Sequence, residues 1–118
     1  MATITPTTTK VTDGGVADVY IVQWPSMGNA DTGIAIPMSS GSDRSVQIEG
    51  TFGAATVVFQ GSNDGTNYQT LTDPQGNAIS KTSASLEAIS ELTRFVRPVT
   101  SGGTGSVINV SLLVKGQR

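Results

Sequence analysis

Ser106-Val107-Ile108-Asn109-Val110-Ser111-Leu112-Leu113-Val114, close to the C-terminus, alternates with the period of a β-strand. Successive side chains of a strand point to opposite faces, so Ile108, Val110, Leu112 and Val114 share one side. Asn109, Ser111 and, less comfortably, Leu113 share the other. One face is core and the other meets water, as in a half-buried antiparallel sheet. Residues 44–52 repeat the pattern, with Val46, Ile48 and Phe52 on the inner side and Gln47, Glu49 and Thr51 on the outer. Gly50 interrupts the series and points to a bulge.

Around these two strands the chain breaks into short extended runs separated by turn residues. Residues 16–24 form a β-branched and aromatic run that stops at Pro25. Residues 25–33 read as a loop, and 34–38 as a short strand whose Pro37, lacking an N–H, belongs at an edge or a bulge. Residues 39–43 read as another loop. Gly53 opens a tight turn into a strand over 54–60. Ser62-Asn63-Asp64-Gly65 is a strong turn, because Asn, Asp and Gly tolerate the backbone a tight connection requires. Its partner strand is 67–72, and Asp73-Pro74-Gln75-Gly76-Asn77 is the next turn. In 83–92, Leu86, Ile89 and Leu92 stand at helical spacing, while the surrounding serines suit a strand equally; a short helix and a strand both remain open there. A strand over 94–100 and a loop over 101–105 complete the series. No period of about 20 to 50 residues recurs. These features describe an all-β fold, an antiparallel β-sandwich or jelly-roll-like barrel. Residues 1–15, rich in threonine and closed by Asp13-Gly14-Gly15, read as an extended N-terminal arm, and 16–118 as the sandwich domain.

The 118 residues suit one domain with one core, and aromatics at 5% leave that core to Val, Ile, Leu and Ala. Charged residues are 14%, against roughly a quarter in typical soluble domains. The seven basic residues are scattered and outnumbered by nine acids, for a formal net charge of -2. Tight nucleic-acid binding needs clustered Lys and Arg, so none is expected. The absence of cysteine excludes disulfides and thiolate metal sites. No apolar stretch approaches the roughly 20 residues of a membrane span, and the N-terminus lacks the pattern of a secretory signal. The expectation is a protein made in the cytosol, with no membrane partner.

Catalytic chemistry has little to build on. With neither His nor Cys, Ser-His and Cys-His nucleophile pairs are excluded. Asp64 and Asp73 stand in turn sequences, where Asp is favoured for bonding its own backbone. Asn63, Asp64 and Asn67 offer hard oxygen ligands to calcium, yet a self-satisfied turn accounts for the same residues. Trp24 and Tyr68 suit the core better than a sugar platform. Arg94 and Arg97, three apart on the strand over 94–100, fall on opposite faces and make no shared anion clamp; solvated or interface positions account for them. No enzyme activity, no cofactor and no metal are expected.

Two stretches carry a resemblance. Residues 56–71, Thr-Val-Val-Phe-Gln-Gly-Ser-Asn-Asp-Gly-Thr-Asn-Tyr-Gln-Thr-Leu, resemble the strand-turn-strand hairpin of discoidin-like sandwich modules. The wider stretch 47–114 includes Phe95-Val96-Arg97-Pro98-Val99 and Gly102-Gly103-Thr104-Gly105, and is similar to small proteins encoded among the head genes of tailed bacteriophages. That resemblance implies a capsid decoration, or cement, protein on the virion surface. It would be a homotrimer that binds across subunits of the major capsid protein. Ile4, Pro6 and Val11 of the arm are the apolar footholds expected to touch the capsid. The discoidin-like hairpin implies the alternative, a virion-borne carbohydrate-binding module using Trp24, Tyr20 or Tyr68.

Overall fold

The computed structural model describes residues 3–11, 19–37 and 41–116, and every regular element among them is a strand. In chain order these are β1 (Thr3–Ile4), β2 (Thr7–Val11), β3 (Val19–Met27), β4 (Thr32–Gly33), β5 (Ile36–Pro37) and β6 (Gly41–Thr51). Then follow β7 (Ala55–Ser62), β8 (Gln69–Thr70), β9 (Ser80–Lys81), β10 (Ser85–Ala88), β11 (Phe95–Gly102) and β12 (Val107–Gly116). They make a β-sandwich. A five-stranded antiparallel sheet runs β10-β6-β12-β3-β2, and a seven-stranded sheet runs β1-β4-β11-β7-β8 with β5 also on β11 and β9 also on β7. Its β1–β4 pair is parallel.

The two alternating stretches do what their periodicity requires. Ile108, Val110, Leu112 and Val114 of β12 lie in the core beside Val46 and Ile48 of β6, while Asn109 and Leu113 face out. From the facing sheet come Ala55, Val57 and Phe59 of β7 and Val96 of β11. With so few large rings the core is aliphatic around one aromatic contact. The Trp24 and Phe59 rings meet edge to face at 6.0 Å and 73°. Fully buried, Trp24 still satisfies its indole N–H, which donates to the Ile34 carbonyl at 3.0 Å.

Several boundaries differ from the sequence reading for identifiable reasons. β3 runs on through Pro25 to Met27 instead of stopping. Opposite Ile108–Val110 it holds one residue more than β12, a bulge that accommodates the missing proline N–H. Ser26 there has φ of 52°, and its N–H is received by Asn109 Oδ1 at 2.9 Å. Gly50 marks no bulge, since it pairs in regular register with Ile108. Residues 41–43, read as loop, belong to β6. Residues 85–88 resolve the open choice in favour of a strand, β10, laid against β6 with Leu86 outward and Ile89 following into the core.

The N-terminal segment is extended, and it pairs with strands of its own chain. β1 joins β4 in one sheet and β2 joins β3 in the other, so residues 3–11 bridge both layers. The Asp13-Gly14-Gly15 turn and the start of the run at 16–18 lie outside the described residues, as do 38–40.

Candidate functional surfaces

The residues singled out for chemistry are absorbed by turns and core. In the β7–β8 hairpin the Asp64 carboxylate accepts the backbone N–H groups of Thr66 and Asn67 at 2.8 Å each. It also accepts Asn67 Nδ2 at 2.9 Å and the Ser62 hydroxyl at 2.8 Å. The Asn67 and Thr66 amides, with the Asn67 and Ser62 side chains, hold this carboxyl far below the usual carboxylate range. Asp73 closes the second hairpin turn in the same manner, accepting the N–H of Gln75 and of Asn77 at 3.0 Å each. Among the described residues no three acids converge as a metal-binding group.

The Asp64 bonds carry a pH prediction. A carboxylate with a depressed folded pKa contributes its stabilisation above the unfolded value, and loses it only as pH falls through the folded one. The Asp64 side-chain carboxyl carbon should therefore stay flat from about pH 5 to about pH 3, where a free Asp titrates near 3.9. A midpoint inside that window in a carbon-detected NMR titration would show the turn bonds to be absent.

The aromatic residues proposed for sugar stacking are similarly occupied. Trp24 is in the core, Tyr20 is half-buried across from Val114, and the Tyr68 ring is covered by the Arg97 guanidinium at 3.8 Å. Of the expected capsid footholds, Ile4 packs against the chain's own core, Pro6 is half-buried, and Val11 is half-buried opposite Val19 at the border of the five-stranded sheet.

What the sheets leave exposed is more informative. On the outer side of the five-stranded sheet, one row runs Thr9, Ile21, Leu113, Ser45, Ala88 across all five strands. The next runs Thr7, Gln23, Ser111, Gln47, Leu86. Neither row contains a charge. Leu86 is 66% exposed and Leu113 40%, and together with Ile21 they rim a depression of about 260 Å³ floored by Ser45, Gln47 and Ser111. An outer face spread over the three longest strands of the fold, β6, β12 and β3, apolar in part and uncharged across its middle, has the composition of an interface centre. The out-of-place Leu113 was its signal in the sequence.

The opposite side of the sandwich has another character. Phe95, Arg97 and Val99 of β11 point outward, alternating with the buried Val96, Pro98 and Thr100. Arg94 precedes the strand, so alternation does not govern it, and its guanidinium folds over the outward Phe95 ring at 5.0 Å. Both arginines therefore lie on the same side, contrary to the expectation that they part.

No protein-family model matches the sequence, and no curated protein matches it. Solved structures do match in fold. The SPBc2 prophage-derived protein YomS superposes with a TM-score of 0.63 at 12% identity, over 85% of this chain and 97% of that one. A cupin domain from Bordetella pertussis gives 0.48 at 13% identity, over 98% and 99% of the two chains. The K1 cleaved adhesin domain of Lys-gingipain from Porphyromonas gingivalis gives 0.43 at 12%, over 96% and 91%. At such identities the likeness is one of architecture, a β-sandwich module of this size.

Proposed function

We propose that the chain is a virion structural protein that decorates or cements the capsid shell of a tailed bacteriophage, seated across subunits of the major capsid protein through the outer face of its five-stranded sheet. The observation that carries this reading is the uncharged face rimmed by Ile21, Leu86 and Leu113. Support comes also from the fold, which is shared with a prophage-derived protein, and from the turn roles of Asp64 and Asp73 and the core position of Trp24. The same roles favour a protein that binds and does not catalyse. The carbohydrate-binding alternative is less favoured because its aromatic residues are buried or covered.

The size of the face bears on copy number. At about 3.3 Å per residue and about 4.8 Å between strands, five strands of these lengths offer roughly 600 Å² of sheet. That is flat area, before the relief of the side chains is added, and it is on the scale of the roughly 800 Å² of accessible surface per partner in a stable pairwise complex. Several linked copies acting at once, as in a trimer on a symmetric shell, would strengthen the attachment further.

The test is addition of purified protein to particles that lack it. Leu86→Asp with Leu113→Asp sets carboxylates on an exposed surface, so folding should persist, whereas burying them against the shell desolvates unpaired charge. Occupancy should fall by at least about tenfold, since even about 1.4 kcal/mol is a factor of ten. Wild-type occupancy by a folded double variant would sink the reading.

A further inference from the structure

On the far side of the sandwich, beside the 62–68 turn, two arginines are held in place by aromatic rings and have no acid partner among the described residues. Arg97 lies over the Tyr68 ring, its Cζ 3.8 Å from the centroid, and is tethered at one corner, its Nε donating to Gln60 Oε1 at 3.0 Å. Arg94 rests over Phe95 at 5.0 Å, and its backbone N–H is received by Asn63 Oδ1 at 3.1 Å, which fixes it to the turn. The acid of that turn, Asp64, already accepts bonds from Ser62, Thr66 and Asn67. Among the described residues the ion pair present is Lys81–Glu87, which involves neither arginine.

A guanidinium has five N–H groups in a planar fork. With Nε committed to Gln60, the Nη edge of Arg97 remains, and this edge meets the two oxygens of a carboxylate side by side. Stacking on Tyr68 orders the long side chain before any partner arrives, which removes much of the entropy lost on binding. We propose that the Arg97 fork, with Arg94 as a second positive group across the turn, is a docking site for a carboxylate-bearing segment of a partner polypeptide.

Carboxylates suit the site better than a nucleic-acid backbone. The remaining basic residues are dispersed, so no track of phosphates can be followed, and Tyr68 is covered by Arg97 instead of being free to stack a base. The site lies on the sheet opposite the uncharged face, so it does not depend on how that face is used.

The experiment titrates an oligoglutamate peptide, capped at both ends, into the full-length protein and follows backbone amides and arginine Nε–Hε signals by NMR. The Arg97 Nε–Hε and the amides of Thr66, Asn67 and Tyr68 should move saturably, with binding at least about tenfold weaker in about 0.5 M salt. Arg97→Lys keeps the charge and loses the fork, and should weaken binding at least about fivefold. Arg94→Gln, an exposed position, should weaken it about two- to threefold and provides the measurement if Arg97→Lys disturbs the Tyr68 packing. Absence of a saturable shift, or full affinity in both variants, would overturn the proposal. So would oligothymidine moving the same signals more tightly than the peptide.

Discussion

Replacing Trp24 by alanine should cost the protein about 3–5 kcal/mol, a large share of the roughly 5–15 kcal/mol by which a domain is stable. Three contributions converge on this one side chain. It is the largest of the fully buried residues, it supplies one of the two rings in the Trp24–Phe59 contact, and its N–H satisfies the Ile34 carbonyl. The surrounding shell includes Pro98, whose ring, like that of Trp24, lies so close to Gly33 that a methyl group there would sit 2.6 Å from Pro98 Cδ and 2.7 Å from Trp24 Cδ1. Such a tightly held shell collapses poorly around a vacated volume, which places the loss toward the upper end of the range. Trp24→Phe keeps a ring for Phe59 to meet but removes the donor and part of the volume, and should cost about 1–2 kcal/mol. Urea unfolding followed by far-ultraviolet circular dichroism measures both. A loss below about 1 kcal/mol for Trp24→Ala would mean that the indole is not the centre of the core.

The parts of the fold that were legible in the sequence are those where local chemistry and tertiary packing agree. β12 and β6 are interior strands of a one-sided sheet, so their hydrophobic alternation was readable: Val46, Ile48, Ile108, Val110, Leu112 and Val114 are buried as read, while Phe52 lies just beyond β6 and is half-buried. The 62–65 and 73–77 turns were legible because Asp64 and Asp73 bond their own backbones and need nothing distant. The failures are places where a distant partner decides. β3 passes Pro25 only because Asn109, far along the chain, supplies an acceptor to the N–H of Ser26 at the bulge. Residues 83–92 gave a helical spacing by accident, as Leu86 and Leu92 are exposed and Ile89 alone of the three is buried. The N-terminal threonines read as an arm because they bring little apolar surface, yet β2 needs only the backbone edge of β3. Of the candidate surfaces, the uncharged face was foreshadowed by low charge and by Leu113. The paired arginines were hidden, because a strand-period rule was applied to Arg94, a residue outside the strand.

Gly50→Ala should destabilise the protein by more than about 3 kcal/mol, although it adds one methyl group to an exposed position. Gly50 has φ of 127°, which lies beyond even the left-handed helical region that L-residues visit. Its added Cβ would also stand 2.3 Å from the Val107 carbonyl oxygen and 3.1 Å from Ile108 Cα. Both obstructing groups are backbone of β12, which cannot turn aside as a side chain would. To admit the methyl group, β6 and β12 must separate at the Gly50–Ile108 pair, next to the end of their ladder, where Ile108 is buried in the core. Gly76 provides the control, since its φ of 86° is also unfavourable to alanine but nothing lies within 4 Å of its added Cβ. Gly76→Ala should therefore show backbone strain alone, about 1 kcal/mol. The difference between the two variants, measured by urea unfolding under one set of conditions, isolates the clash from the strain. If Gly50→Ala costs no more than Gly76→Ala, β6 and β12 do not approach each other at this pair as closely as the 2.3 Å distance to the Val107 carbonyl requires.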